Sequence, residues 1–450
     1  MIKNNLGQHV VDRMKASPPN KICYVDKNQK SSTYSDALKL IEHYQRCLNN
    51  LKRPPDVICL APPGIHLLCL IIACFLTQKT VVFLDPQMGF QNFFSVGWKL
   101  KNVTIVYDKI PSFIIFFLKI IFQNLSFQKM QVTNLSTQQI PLPNPNAIDG
   151  FTSGTTGSIK RIQRQHCHML AAADIFSRNI IPLSEDLHLI GYTLSGIRNF
   201  IDQGTAFEKP KNNPLASFIQ SQNISRISGP PSLFDEITQG NKTIYASVQN
   251  IVIGGAPIQK WLAHQILYAF PNAQLQSVYG STECEPICLS QISEHIQYQG
   301  LGYFVGKSVP ELKCIYEKIE TNLFELHVEG PQVTTGKRHN TKDLVRKTED
   351  GSLVIVGRSD YILTTDHGHK LGQYEIETLL ENTFPEIKKA AALQNHHCLN
   401  VFIELFPGQH LQINPVLKVV QSMNFHNVQI KIRHLEYDSR HKWKVLYHRL

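Results

Sequence analysis

Between residues 31 and 110, apolar runs of strand length alternate with stretches whose apolar residues recur at helical spacing, and this alternation narrows the fold more than any other feature. Thr33-Tyr-Ser35 caps a predicted helix in which Leu38, Ile41, Cys47 and Leu48 share a face, and Pro54-Pro55 stops it. A buried strand is expected at 56–61, then a helix over 66–76, a strand over 80–84, an aromatic-rich helix near 90–100 and a strand at 103–106. Strands separated in this way by helices predict a parallel sheet. Residues 126–146, rich in Gln, Asn and Pro, read as a linker. Further on, helices are expected at 167–178 and 193–203 with a strand between them at 187–192, and short alternating strands at 312–319, 323–329, 344–347 and 353–356 suggest a small β-rich subdomain.

The linker leads into Phe151-Thr-Ser-Gly-Thr-Thr-Gly-Ser-Ile-Lys160. The lead-in Ala147-Ile148, broken by Asp149-Gly150, and the alternation Arg161-Ile-Gln-Arg164 make this strand, loop, strand. Gly154 and Gly157 let the backbone turn tightly and approach a ligand. Backbone N–H groups and the hydroxyls of Thr152, Ser153, Thr155 and Thr156 then form an anion-binding concavity, and Lys160 adds a point charge. The chemistry is a grip on a polyphosphate. A Walker loop is excluded, because the lysine comes three residues after the last glycine and no helix begins there. Gly-Thr-Thr-Gly alone reads equally well as a surface turn, and the ten-residue run weighs against that reading.

Thr152–Gly157 with Lys160 resembles the phosphate-binding signature of the adenylate-forming superfamily, which includes acyl-CoA synthetases, peptide-synthetase adenylation domains and luciferases. The usual continuation is Pro-Lys-Gly, where this chain has Ile159-Lys160-Arg161. Ser277-Val-Tyr-Gly-Ser-Thr-Glu283 resembles the family's Tyr-Gly-x-Thr-Glu motif. There Tyr279, Gly280 and Ser281 border the nucleotide, Thr282 offers a hydroxyl to phosphate, and Glu283 offers a hard oxygen to Mg²⁺. Gly254-Gly255-Ala256-Pro257 ends a strand and resembles the stretch that borders adenine; alone it reads as a strand-to-helix turn. Thr341-Lys-Asp343 stands in the place of Thr-Gly-Asp, with Asp343 for the ribose hydroxyls and Lys342 where the family has glycine. A surface Lys-Asp pair is the alternative there. Gly357-Arg358-Ser-Asp360 resembles the Gly-Arg-x-Asp hinge, with Arg358 reaching the nucleotide. The tail Arg440-His-Lys-Trp-Lys-Val445 resembles that of olefin β-lactone synthetases, a register that makes Lys444, not Lys442, the catalytic lysine beside Glu283 and Thr155.

The resemblance implies an α/β fold: a large ATP- and acid-binding domain over 1–357 with its β-rich subdomain, and a small mobile α+β domain over 358–450. It implies ATP and Mg²⁺, a carboxylic acid substrate, and CoA or an acyl or peptidyl carrier protein as acceptor. An amine, an internal hydroxyl giving a β-lactone, and a pseudoenzyme that only binds nucleotide stay open.

The net charge of +10 suits nucleotides, CoA or acidic carrier proteins. No zinc-finger spacing or RNA-binding motif points to nucleic acid. The ten cysteines are scattered without a Cys-x-x-Cys pair, which suits a reducing compartment, and the first residues lack the apolar core of a signal peptide, so a cytoplasmic setting is expected. A monomer or homodimer is expected. The apolar stretches 66–75 and 112–122 are too short to span a bilayer. The second is read as a core helix, with a membrane-facing surface patch as the other reading.

Overall fold

The strand–helix alternation of the first 110 residues builds one layer of a sheet whose strand order is Ser126–Lys129, Val103–Tyr107, Asp56–Leu60, Thr80–Val82, Asn146–Ser153, Ile159–Gln165. The first five strands run parallel and the last pair antiparallel. The computed structural model describes residues 5–51, 56–83, 96–131, 144–153, 159–180, 186–190, 193–209, 214–239, 243–438 and 442–450. The chain divides into two compact units, one of residues 1–154, 158–228 and 247–249, the other of 155–157, 229–246 and 250–450.

In the first unit, the helix Tyr34–Asn49 opens on the expected cap: Thr33 Oγ1 accepts from the Asp36 N–H at 3.1 Å and Asp36 Oδ2 accepts from the Thr33 N–H at 3.0 Å. Helix Ile65–Leu76 is sunk in the core, with every residue from Leu68 to Phe75 buried. A second sheet has the order Arg226–Gly229, Leu187–Ile190, Thr205–Glu208, Ile22–Val25, Ser31–Thr33, parallel except for its last pair. Helices His166–Asn179 and Thr193–Asp202 lie where expected.

Three expectations are corrected. The linker over 126–146 begins with an edge strand, Ser126–Lys129, because Phe127 packs against the cluster of Ile58, Val103, Ile105 and Phe122. The strand broken at Asp149-Gly150 instead runs unbroken from Asn146 to Ser153. Helix Ser112–Ile121 is not a core helix: Ile115 is buried, while Phe113, Phe116, Phe117 and Ile120 face outward. Nearly every position of that helix is apolar, so one side can fill the core while the other remains hydrophobic at the surface. Pro54-Pro55, most of the helix near 90–100 and most of the 126–146 stretch lie outside the described residues.

Asp149 is the reason the strand can continue. Its side chain is 0% exposed, and a buried carboxylate needs a cation. Arg161 supplies it from the neighbouring strand: Nε donates to Asp149 Oδ2 at 3.0 Å, Nη2 donates to the same oxygen, and Asp56 Oδ2 lies 3.5 Å from Nη2. Arg161 is one of the two departures from the Pro-Lys-Gly pattern, and this pair gives it a structural purpose. Arg161→Ala is expected to lower stability in urea unfolding by roughly 2–3 kcal/mol, less than the loss of one partner of a fully buried pair because the Arg161 side chain is 43% exposed. The double variant Arg161→Ala/Asp149→Asn should recover most of that loss.

The second unit begins with parallel strands Asn250–Gly254 and Gln274–Ser281 and continues as an antiparallel series: Cys284–Gln291, Tyr303–Ser308, Leu353–Arg358, His339–Lys347, Leu323–Glu329, Lys313–Glu320. The β-rich stretch expected at 301–357 is therefore an extension of one sheet. A short turn, Ser359–Tyr361, and the hairpin Ile362–Thr364/Lys370–Gly372 lead to helix Gln373–Thr383 and the strands Ile387–Asn395, Cys398–Leu405 and Val428–Ile432. These close on their own core of Leu363, Ile376, Leu380, Val401 and Val416.

Inside this last segment Glu377 is fully buried, its Oε1 accepting from Tyr447 Oη at 2.7 Å and from the Ala392 N–H at 3.0 Å. Burial pushes its carboxyl up from 4.5 to about 8, against the opposing pull of Lys389. The folded state thus holds a proton that the unfolded chain releases near 4.5. The contribution is fully present below that value and declines as pH rises through the window from 4.5 to about 8. Glu377→Gln is expected to flatten the fall in unfolding free energy between pH 5 and pH 8 relative to the parent chain; an unchanged slope would assign that fall to other groups.

Candidate functional site

In the second unit, strands Asn250–Gly254 and Gln274–Ser281 run parallel with Gly254 opposite Val278, so their carboxyl ends lie side by side. The next strand, Cys284–Gln291, is antiparallel. In sheets with parallel strands, ligands bind outside the carboxyl ends of those strands. The first end carries Gly254-Gly255-Ala256-Pro257. A Cβ on Gly254 would stand 3.2 Å from the Val278 carbonyl oxygen, and Gly255 has φ +89°, so this rim depends on glycine at both positions. The second end carries Tyr279-Gly280-Ser281, after which Thr282-Glu283 form the two-residue turn of a hairpin that pairs Ser281 with Cys284.

One further residue reaches Tyr279 from the antiparallel strands, and a second pairs with that one. Asp343 and Arg358 face each other on paired strands. Arg358 Nη1 donates to Asp343 Oδ1 at 2.7 Å and to the Thr341 carbonyl at 3.0 Å, and Tyr279 Oη donates to Asp343 Oδ2 at 2.5 Å. One carboxylate therefore joins three motifs. Burial pushes the Tyr279 hydroxyl well above its ordinary range and the Asp343 charge adds to the rise, so Tyr279 is a donor. Burial alone would lower Arg358, but Asp343 together with Tyr374 and Tyr279 raises it, so the guanidinium stays charged.

Lys342, standing in place of the family's glycine, adopts φ +63°. The glycine-like backbone is thus kept, supported by Asn340 Oδ1, which accepts from the Lys342 N–H at 2.7 Å. The conformation turns Asp343 inward, where its N–H donates to Thr341 Oγ1 at 3.1 Å. Lys342 Nζ lies 3.7 Å from Glu325. The neighbouring trio Glu317, Glu325 and His327 brings its ligand atoms within 4.8 Å of one another, but Arg338 also stands 3.7 Å from Glu317, so these carboxylates are balanced by cations.

Three buried polar atoms linked to this cluster have no hydrogen-bond partner among the described residues: Ser281 Oγ, Thr334 Oγ1 and Arg358 Nε. Thr334 sits beside the hairpin turn, its N–H donating to the Glu283 carbonyl at 2.8 Å. Buried donors are ordinarily satisfied, so the set fits a polar ligand that completes it. On the same turn the Thr282 hydroxyl and the Glu283 carboxylate are hard oxygen donors, the kind that Mg²⁺ takes. Cys284 and Cys288 are buried, and burial pushes the Cys288 thiol well up, which suits a packing role rather than a nucleophile.

Of the other expected residues, Thr152, Ser153 and Lys160 belong to the hairpin of the first unit, with Thr152 opposite Lys160, and Lys160 is exposed. Gly154, Thr155, Thr156 and Gly157 lie outside the described residues. In the tail, the backbone N–H of Lys444 donates to Asp438 Oδ1 at 3.1 Å and its side chain is exposed. Between Lys442 and Lys444, Trp443 is buried: its Nε1 donates to the Pro257 carbonyl at 3.0 Å and to Gln259 Oε1 at 2.9 Å. Sequence reasoning missed Trp443 and Thr334. A lone tryptophan in a basic tail was the available signal for the first, and Thr334 carried none.

A model of the AMP-binding enzyme family matches residues 108–336. Among curated relatives, 4-coumarate–CoA ligase 3 of Oryza sativa subsp. japonica is 25% identical over 54% of this chain and 51% of its own length. Peramine synthetase ppzA of Metarhizium rileyi is 23% identical over 57% of this chain and 10% of its own length. The chain thus spans about half or less of the relatives it matches. Among solved structures, ATP-bound MatB from Rhodopseudomonas palustris aligns with TM-score 0.82 at 16% identity, covering 99% of this chain and 97% of that one. o-Succinylbenzoate CoA synthetase (MenE) from Bacillus subtilis, in complex with ATP and magnesium, aligns with TM-score 0.80 at 15% identity, covering 97% and 98%. The amide bond synthetase McbA from Marinactinospora thermotolerans gives TM-score 0.81 at 14% identity, covering 97% of both chains. At these identities the likeness shows the fold.

A double-mutant cycle of Tyr279→Phe and Asp343→Asn is expected to return a coupling of roughly 1–2 kcal/mol in urea unfolding, the size for contacting charged and hydrogen-bonding partners. Additive effects would show that the bond is not formed in solution.

Proposed function

The chain belongs to the AMP-binding enzyme family of adenylate-forming ligases, and from that premise we propose that it activates a carboxylic acid with ATP and passes the acyl group to the thiol of CoA or a carrier protein. The observation that carries the reading is the carboxylate of Asp343, held by Tyr279 and Arg358 beside buried donors that lack partners. A carboxylate is the group best able to accept from both hydroxyls of a ribose, and each oxygen of Asp343 retains acceptor capacity after its present bond. In this reading adenine lies along Gly254–Pro257 and Tyr279, and Arg358 reaches the ribose or the α-phosphate. Gly280 and Ser281 line the nucleotide, and Thr282 faces phosphate. The loop of Thr152, Ser153, Gly154, Thr155, Thr156 and Gly157, with Lys160, grips the β- and γ-phosphates. Glu283 would hold Mg²⁺, which when bound would neutralise charge on the phosphates.

The chemistry needs positioning more than covalent participation. An oxygen of the acid attacks the α-phosphorus, the bond to the bridging oxygen of the β-phosphate breaks, and pyrophosphate leaves with the electron pair, giving an acyl-adenylate. In the second half-reaction a thiol sulfur attacks the acyl carbon, the bond to the AMP oxygen breaks, and the thiol proton goes to solvent. We place Lys444 at the reacting centre of the first step, where its charge opposes that developing on the carboxylate and α-phosphate oxygens. We assign a division at 357/358 with Asp360 as pivot, so that residues 358–450 can move between the half-reactions. Ten free cysteines support a reducing, cytoplasmic setting, and among the described residues no helix is long and apolar enough to cross a membrane.

The test is exchange of labelled pyrophosphate into ATP across a panel of acids, with and without CoA. Acid-dependent exchange is expected, with acyl-thioester when CoA is added. ATP binding without exchange for any acid would favour a pseudoenzyme, and a lactone or amide product would move the acceptor away from thiols. Lys444→Ala is expected to slow exchange by about a hundredfold or more while transfer from preformed acyl-adenylate stays near the parent rate. Lys442→Ala should leave both intact. Equal loss in the two half-reactions for Lys444→Ala would contradict its placement.

A further inference from the structure

Helix Ser112–Ile121 presents a hydrophobic stripe to solvent. Phe113, Phe116, Phe117 and Ile120 are 64%, 62%, 59% and 52% exposed, and their spacing of three, one and three residues puts them on one side of the helix. The stripe continues past the helix end. Trp98, 61% exposed, is pinned there by Nε1 donating to the Ile121 carbonyl at 3.0 Å. The opposite side anchors the helix, through buried Ile115 and through Leu118 and Ile121 against the cluster of Val103, Ile105 and Phe122. The stripe is therefore held in place by a core that does not need it.

The segment that carries it is basic. Residues 96–131 contain Lys99, Lys101, Lys109, Lys119 and Lys129, all exposed, and a single acid, Asp108. That acid is already engaged, accepting from Tyr44 Oη at 2.6 Å with His66 at 3.4 Å. A second copy of the chain would bring this face onto itself in a two-fold contact, setting lysines against lysines around the apolar centre. A surface of negative charge over an apolar interior meets both features at once. The helix has ten residues, about 15 Å, so it can lie within an interface and cannot span one.

We propose that this face is a membrane-docking surface. The helix lies in the headgroup layer of an anionic bilayer, with Phe113, Phe116, Phe117, Ile120 and Trp98 entering the acyl boundary and the flanking lysines against lipid phosphates. Aromatic side chains suit that depth, and lysine stems reach from an apolar surface to charged headgroups. This goes beyond acid activation and does not rest on it. It gives the protein access to a bilayer surface without any spanning segment.

The test uses the full chain and sedimentation with vesicles of phosphatidylcholine alone and of an equimolar mixture with phosphatidylserine. Binding to the anionic vesicles is expected to exceed that to the neutral ones by roughly tenfold and to fall as salt is raised. Phe116→Asp/Phe117→Asp should abolish binding, and Lys99→Glu/Lys101→Glu should remove the preference for anionic lipid. Phe116→Ser/Phe117→Ser serves as a milder pair. All these side chains are exposed, so circular dichroism and the thermal midpoint should match those of the parent chain. Failure of the parent chain to bind anionic vesicles would overturn the proposal, as would binding that survives both Phe116/Phe117 double variants. Light scattering covers the self-association alternative: a dimer dispersed by the same variants, with no vesicle binding, would assign the face to a second copy and overturn the bilayer.

Discussion

The carboxylate of Asp343 is the constraint around which the second unit's site is built. It takes a hydrogen bond from Tyr279 on one oxygen and an ion pair from Arg358 on the other. These three residues come from a strand continuing a parallel pair and from two strands of the antiparallel sheet, so the bond pattern fixes how the rims of both stand to each other. Charge-assisted bonds in a partly buried setting are the stronger kind, and a broken one would strand a guanidinium. The geometry extends outward from that centre. Glycines at 254 and 280 let backbone approach backbone, Gly255 takes a positive φ, and the positive φ at Lys342 aims the aspartate.

The departures from the family pattern become intelligible one at a time. Arg161, in place of a glycine, neutralises the buried Asp149 and lets a strand pass through what reads as a break. Lys342, in place of a glycine, still takes the left-handed backbone, at the steric expense of a non-glycine residue, and its ammonium lies near Glu325. Ile159 occupies a β-ladder position opposite Ser153. These substitutions preserve local geometry by other means, so none of them by itself argues for a loss of activity.

Much of this was legible in the linear chain. The capped helix at Tyr34–Asn49, the two strands that flank the phosphate-loop motif and the strand ends at Gly254 and Ser281 follow from periodicity and turn chemistry. Tyr279, Asp343 and Arg358 each stood out within its own stretch. That they meet on one carboxylate was not legible, because Tyr279 and Asp343 are 64 residues apart and no local pattern encodes such a contact. Helix Ser112–Ile121 was misread for a different reason. Apolar content indicates that something must be covered, but not by what, and a helix apolar on all sides has no periodicity to say which side meets the core. Trp443 escaped notice because its partner, the Pro257 carbonyl, lies 186 residues away.

The most direct measurement of the central claim is a crystal structure of the chain with AMP bound. The account predicts both ribose hydroxyls within hydrogen-bond distance of Asp343, Arg358 still paired with that carboxylate, and the base lying between the Gly254–Pro257 rim and Tyr279. AMP seated elsewhere, with Asp343 making only its bonds to Tyr279 and Arg358, would contradict it.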